Sequence, residues 1–214
     1  MSADERTGPW NTALPWIARV AWVAVVAGGG AIDAAVEGRP SGLAWVAAIG
    51  SWTVWGTVLV ALLIPSVLSL AWIRVFGPLS LAATIASAIG GAPAGDLALL
   101  GLPSIVACFA FFTPEVGRWM VQASAYGDED RLLLRAPVPA GTAAVVSWLV
   151  WAPTMVLGPL ALGAGNWLVG VPVTLVALLL FAFIGPRWLR MTQRWLVLVP
   201  AGLVVHDPVV LADT

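Results

Sequence analysis

Apolar residues run through this chain in six long blocks, each closed by charge, proline or a glycine cluster. A helix crossing ~30 Å of hydrocarbon needs ~20 largely apolar residues, and all its backbone polar groups must pair within the helix. The blocks meet that requirement. The first extends from Leu14 to Ile32 and is stopped by Asp33, Glu37, Gly38, Arg39 and Pro40. The second extends from Leu43 to Ile64, where Pro65 and Ser66 interrupt it. The third is expected over Ile73–Ile89, with residues 65–76 either an interfacial turn or the start of that helix; Gly90, Gly91, Pro93 and Gly95 end it. The fourth covers Leu97–Thr113, the fifth Thr142–Leu162 and the sixth Leu168–Ile184. The fold class is therefore an all-α membrane protein, a six-helix bundle over residues 1–186. A cytoplasmic basic stretch and β-hairpin follow in residues 187–214.

Composition agrees with this reading. Of 214 residues 60% are hydrophobic and 10% charged, whereas a soluble domain carries about 25% charged residues. A single cysteine, Cys108, excludes a disulfide-stapled scaffold. The net charge of −1 offers no basic excess for nucleic acid. The absence of lysine beside abundant alanine and glycine points to a GC-rich bacterial genome. A cleaved signal peptide is the weaker account of the first block, because Asp4 and Glu5 offset Arg6 and the apolar run is too long.

All ten cations are arginines, and they are unevenly spread. With the amino terminus inside, Arg6, Arg19, Arg74, Arg118, Arg131, Arg135, Arg187, Arg190 and Arg194 fall on the inner side and only Arg39 on the outer. Cytoplasmic flanks collect positive charge, so both termini are expected in the cytoplasm of a bacterium, with the bundle in its cytoplasmic membrane. Arg19 and Arg74 are expected to snorkel to the inner interface.

Thirteen tryptophans stand in the chain. Trp10, Trp16, Trp45, Trp72, Trp119, Trp167, Trp188 and Trp195 lie near block ends, as interfacial anchors do. Trp52 with Trp55 and Trp148 with Trp151 sit at mid-depth, each pair three residues apart and so on one helix face. Helix packing explains them with the fewest assumptions; as candidates for function they wall a lipid or small-molecule pocket. Their indole N–H groups need partners in hydrocarbon, and Ser51, Thr53, Thr57, Ser147 and Thr154 are within reach along the sequence. Ala82, Ala86 and Gly90 make the third block the one expected to be most enclosed, with Ala24, Gly28, Ala27 and Ala31 a weaker set in the first. Pro103, Pro153, Pro159 and Pro172 interrupt later blocks, a weak pointer to a transporter site.

Reactive chemistry at depth needs ionisable groups. The expected spans hold no Asp, Glu, His or Lys away from their ends, His206 is the lone histidine, and Cys108 reads as a small apolar residue. No catalytic, cofactor or metal residue is proposed from the sequence. Polar side chains gather instead in two inner segments. Tyr126, Asp128, Glu129, Asp130, Arg131 and Arg135 are candidates for contact with a cytoplasmic partner, although a solvated turn with local ion pairs accounts for them. Arg187, Arg190 and Arg194 form a basic stretch suited to anionic lipid headgroups.

Beyond Arg194 the period changes. Residues 195–199, the turn Pro200-Ala201-Gly202 and residues 203–207 read as a β-hairpin. A lone hairpin is marginal in water, so its missing strands are expected from a partner or from a longer cytoplasmic β-domain. The set Ala125-Tyr126-Gly127-Asp128-Glu129, Arg131, Arg135, Arg194-Trp195, Val199-Pro200-Ala201-Gly202 and His206-Asp207-Pro208 resembles an uncharacterised family of actinobacterial multi-spanning integral membrane proteins. In that family the chain continues past the hairpin, and the resemblance implies no activity or site residue. The expected function is a non-enzymatic scaffold or accessory subunit with a cytoplasmic or membrane protein partner. The alternative is a carrier or flippase-like protein for a lipid or apolar molecule. A lipid-modifying enzyme using Asp128, Glu129 and Asp130 ranks third. Membrane lipid is the expected surrounding, and no cofactor is expected.

Overall fold

The computed structural model describes residues 9–126, 129–199 and 202–207. Six helices in it are long and apolar enough to cross a membrane: Ala13–Val36, Ser41–Leu63, Val67–Ile89, Ala94–Phe111, Val138–Gly163 and Trp167–Thr192, here spans 1 to 6. Residues 67–76 open span 3 instead of forming a separate turn. Span 6 does not stop at Pro186 but continues for six more residues, because a proline in a membrane helix is tolerated where neighbours re-satisfy the freed carbonyl. Arg187 and Arg190 thus belong to its last turns. Asp33, expected to end span 1, lies on its exposed side within the helix. Pro103, Pro153, Pro159 and Pro172 also sit within continuous helices.

Span 3 is broken once, at Gly77-Pro78, between the helices Val67–Phe76 and Leu79–Ile89. A Cβ at Gly77 would lie 2.6 Å from the Phe111 ring, so only glycine admits span 4 at this depth. Close backbone approach also sets other pairs. Gly28, at the end of a tightened 3-10 turn in span 1, leaves no room for a Cβ against Leu100 of span 4. Gly42 of span 2 faces Gly163 of span 5, where an added Cβ would stand 2.6 Å from the Gly163 carbonyl oxygen. Without a hydrophobic force between helices in lipid, such contacts carry much of the association. Span 3 is enclosed as expected, but span 4 equals it, each with 39% of its membrane window buried.

The core has two centres. Trp22, Val58, Leu62, Leu70, Ile73 and Phe111 join spans 1 to 4. Trp151 and Trp188 join spans 5 and 6 to span 3 through Phe76, Val75 and Leu79. On one face of the bundle the short amphipathic helix Pro114–Gln122 starts behind its cap Thr113, whose hydroxyl accepts from Val116 N–H, and buries Val116, Gly117, Met120 and Val121.

The same face carries a three-stranded antiparallel sheet, order β1-β2-β3, of Asp130–Leu133, Trp195–Val199 and Gly202–His206. This corrects the expectation that a partner or a longer domain must complete the hairpin: the segment between spans 4 and 5 of the same chain supplies the third strand, with Asp130 opposite Leu198 and Leu133 opposite Trp195. The expected turn residues Pro200 and Ala201 lie outside the described residues.

Candidate functional site

Three helix ends on the sheet face and the opposite face are closed by arginine. The C-terminal turn of a helix leaves carbonyl oxygens unpaired and carries partial negative charge. Arg19 Nε donates to Leu62 O at 3.2 Å, at the end of span 2, and its guanidinium lies over Trp119 and Trp16. Arg74 Nε donates to Phe111 O at 3.0 Å, at the end of span 4. Arg39, on the opposite face, reaches Gly90 O at the end of span 3 with a weaker 3.4 Å bond. Arg19 and Arg74 are both half-buried and bonded to neighbouring helices.

Three indoles likewise find backbone partners, whereas the buried Trp151 Nε1 has none. Trp22 Nε1 donates to Trp55 O at 2.9 Å and Trp55 Nε1 to Trp22 O at 3.1 Å. Trp148 Nε1 donates to Val75 O at 2.9 Å. Ser51, Thr53 and Thr154 bond to carbonyls in their own helices. Ser147 accepts an indole proton, but from Trp188. The four tryptophans singled out from the sequence therefore do not share one pocket. Trp52 is 60% exposed on span 2, Trp151 is fully buried among Phe76, Phe181 and Trp188, and Trp148 is half-buried beside it. Helical spacing put each pair on a face, but only the packing of spans could say what that face meets.

Of the four, Trp55 alone lines a cleft of about 500 Å³ between spans 1, 2, 3 and 5. That volume is within the usual ~300–1,000 Å³ range of ligand sites. Its deep end is formed by Trp22, Trp55, Val54, Phe76, Leu79 and Met155. The Gly77-Pro78 break presents Phe76 and Leu79 to this end from the two halves of span 3. Ile49, Gly50 and Thr53, on the exposed side of span 2, also border it. Its other end, beside the turns at residues 37–40 and 90–93, carries Arg39, Ser87 and Gly90. Sequence reasoning did not single out Arg39 or Ser87 as site residues. The signal for Arg39 was its isolation as the lone outer arginine; for Ser87 there was none, because one serine among alanines in an apolar helix looks like a packing residue.

The inner segments proposed as contacts are largely used by the fold itself. Glu129 pairs with Arg131 at 2.9 Å, and Gln122 bridges the Glu129 carbonyl and the Arg131 N–H. Asp130 and Arg131 belong to β1, Tyr126 is 81% exposed, and Asp128 lies outside the described residues. Arg135 offers its carbonyl to Arg194 Nη1. Arg194 departs most from the basic stretch expected to meet lipid. It is buried, and Nε and Nη2 grip Asp207 Oδ1 and Oδ2 at 2.7 and 2.6 Å. These bonds raise its pKa above the ordinary arginine range, against the opposing effect of desolvation. Arg187 and Arg190 remain exposed. Among the described residues no three His, Cys, Asp or Glu side chains group as a metal site requires. No family model matches the chain, and no curated protein or solved structure is significantly similar to it.

Proposed function

We propose that this protein is a non-enzymatic membrane protein that takes the apolar chain of a lipid or similar small molecule into the cleft between spans 1, 2, 3 and 5, in the manner of a carrier. The cleft itself carries this reading: it is large enough for a ligand, apolar and aromatic at depth, and polar at one end. The arginine distribution supports an arrangement with the sheet face in the cytoplasm of a bacterial cell and the polar end of the cleft on the outer side.

Native mass spectrometry of protein released from mild detergent tests the reading. Wild type is expected to retain lipid, and Ala83→Phe, which fills the cleft from span 3, to lose it while still unfolding cooperatively. A wild type stripped of all lipid under conditions that keep it folded counts against the proposal.

The scaffold reading keeps one observation in its favour. Strand β3 is an edge strand whose Leu203, Val204 and Val205 are 58%, 55% and 45% exposed, and an open apolar edge can accept a partner strand. A stoichiometric protein co-purifying with wild type, and lost when Val204 is replaced by Lys, would favour it.

A further inference from the structure

We propose that the ligand of the cleft is a bilayer phospholipid, one acyl chain between spans 2, 3 and 5 and its phosphodiester at Arg39 and Ser87. This rests on the reading that the cleft is occupied, and adds the chemistry of the head. Two independent observations point to an anionic, hydrogen-bond-accepting group at this end. The first is Arg39. It is the one arginine whose sequence position falls among the turns opposite the sheet. Its recorded bond to the Gly90 carbonyl is long, 3.4 Å, and among the described residues no carboxylate pairs with it. The guanidinium fork thus keeps donors for phosphate oxygens, whose geometry it suits.

The second is Ser87. It lines the same cleft one turn before Gly90 and is 3% exposed. A hydroxyl in the wall of a cavity can donate to a ligand oxygen. The deep end offers only apolar and aromatic walls beside hydroxyls mostly turned back on their own helices, so a charged head belongs at Arg39 and an alkyl chain at depth. Asp33 and Glu37 are exposed near the same turn. They disfavour a multiply charged head such as a phosphomonoester, whereas the single charge of a phosphodiester remains compatible. The exposed side of span 2 along Ile49, Gly50 and Thr53 leaves room for a second chain to stay in the bilayer.

The test compares retention of phosphatidylethanolamine, phosphatidylglycerol and chain-matched diacylglycerol by the full-length protein in mild detergent. Wild type is expected to retain both phospholipids over diacylglycerol by roughly tenfold, the discrimination of one charge-assisted hydrogen bond. Arg39→Gln should abolish that preference and leave diacylglycerol retention unchanged, Arg39→Lys should restore part of it, and Ser87→Ala should weaken it. Unchanged preference in a folded Arg39→Gln protein overturns the headgroup assignment while leaving the lipid-holding reading intact. Loss of all three glycerolipids from wild type overturns both. Displacement of phospholipid by excess inorganic phosphate would reassign the site to a soluble anion and likewise overturn the proposal.

Discussion

Trp22 and Trp55 exchange hydrogen bonds between spans 1 and 2, each indole N–H donating to the other residue's carbonyl oxygen, at 2.9 and 3.1 Å. Because both acceptors are backbone atoms, each bond survives loss of the other side chain. Trp22→Phe and Trp55→Phe should each cost about 1 kcal/mol, as interhelical hydrogen bonds in lipid do. The bonds themselves should contribute nearly additively in Trp22→Phe/Trp55→Phe. Trp22→Ala, at a site 1% exposed, should cost about 3–5 kcal/mol through the cavity it leaves. Reversible unfolding in mixed micelles measures all four, and strong coupling between the two Phe variants would show that the pair forms only as a unit.

The contact of Gly42 with Gly163 gives a matched pair of glycine variants. In Gly42→Ala the new methyl meets the Gly163 carbonyl oxygen at 2.6 Å, so spans 2 and 5 must separate, and a loss of about 1–3 kcal/mol is expected from overpacking. In Gly56→Ala, on the same helix, nothing stands within 4 Å of the added Cβ, and helix propensity should raise stability by up to about 1 kcal/mol. Thermal unfolding in detergent should order the three proteins Gly56→Ala, wild type, Gly42→Ala. A Gly42→Ala protein as stable as wild type would mean that the spans tolerate wider separation.

Arg194 clasps the sheet, bonding Asp207 just after β3 and the Arg135 carbonyl just after β1. Asp207→Asn leaves a buried guanidinium without its counter-charge, and removing one partner of a buried pair costs about 3–5 kcal/mol. The effect should concentrate in the sheet, read as faster amide exchange in β2 and β3 with the spans little changed. The sign of the pH dependence from Arg194 is clear. Its folded pKa is raised, so the stability it contributes is fully present below its unfolded pKa and is lost only as pH rises through a value above the ordinary arginine range. Amide exchange of β2, corrected for the intrinsic pH dependence, should therefore show no alkaline weakening from this group between about pH 7 and 9.

The number of spans and their approximate bounds were determined by the sequence alone, because the need to cover hydrocarbon acts on every stretch of ~20 residues independently of its neighbours. The hairpin was legible for a similar reason, in its β-branched run and glycine-containing turn, with the second arm expected at 203–207 and found one residue earlier, at 202–206. Tertiary structure decided the rest. Asp130-Arg131-Leu132-Leu133 has no strand signature of its own and becomes β1 only by pairing with residues more than sixty positions away. The indoles of Trp22, Trp55 and Trp148 bond backbone carbonyls on other spans, which no spacing rule reports. Arg39 and Ser87 share a cleft because spans 1 and 3 end side by side, with Gly90 against Ala35. A cavity is what remains between crossing helices, and its lining follows from their angles and breaks, which depend on all the spans at once.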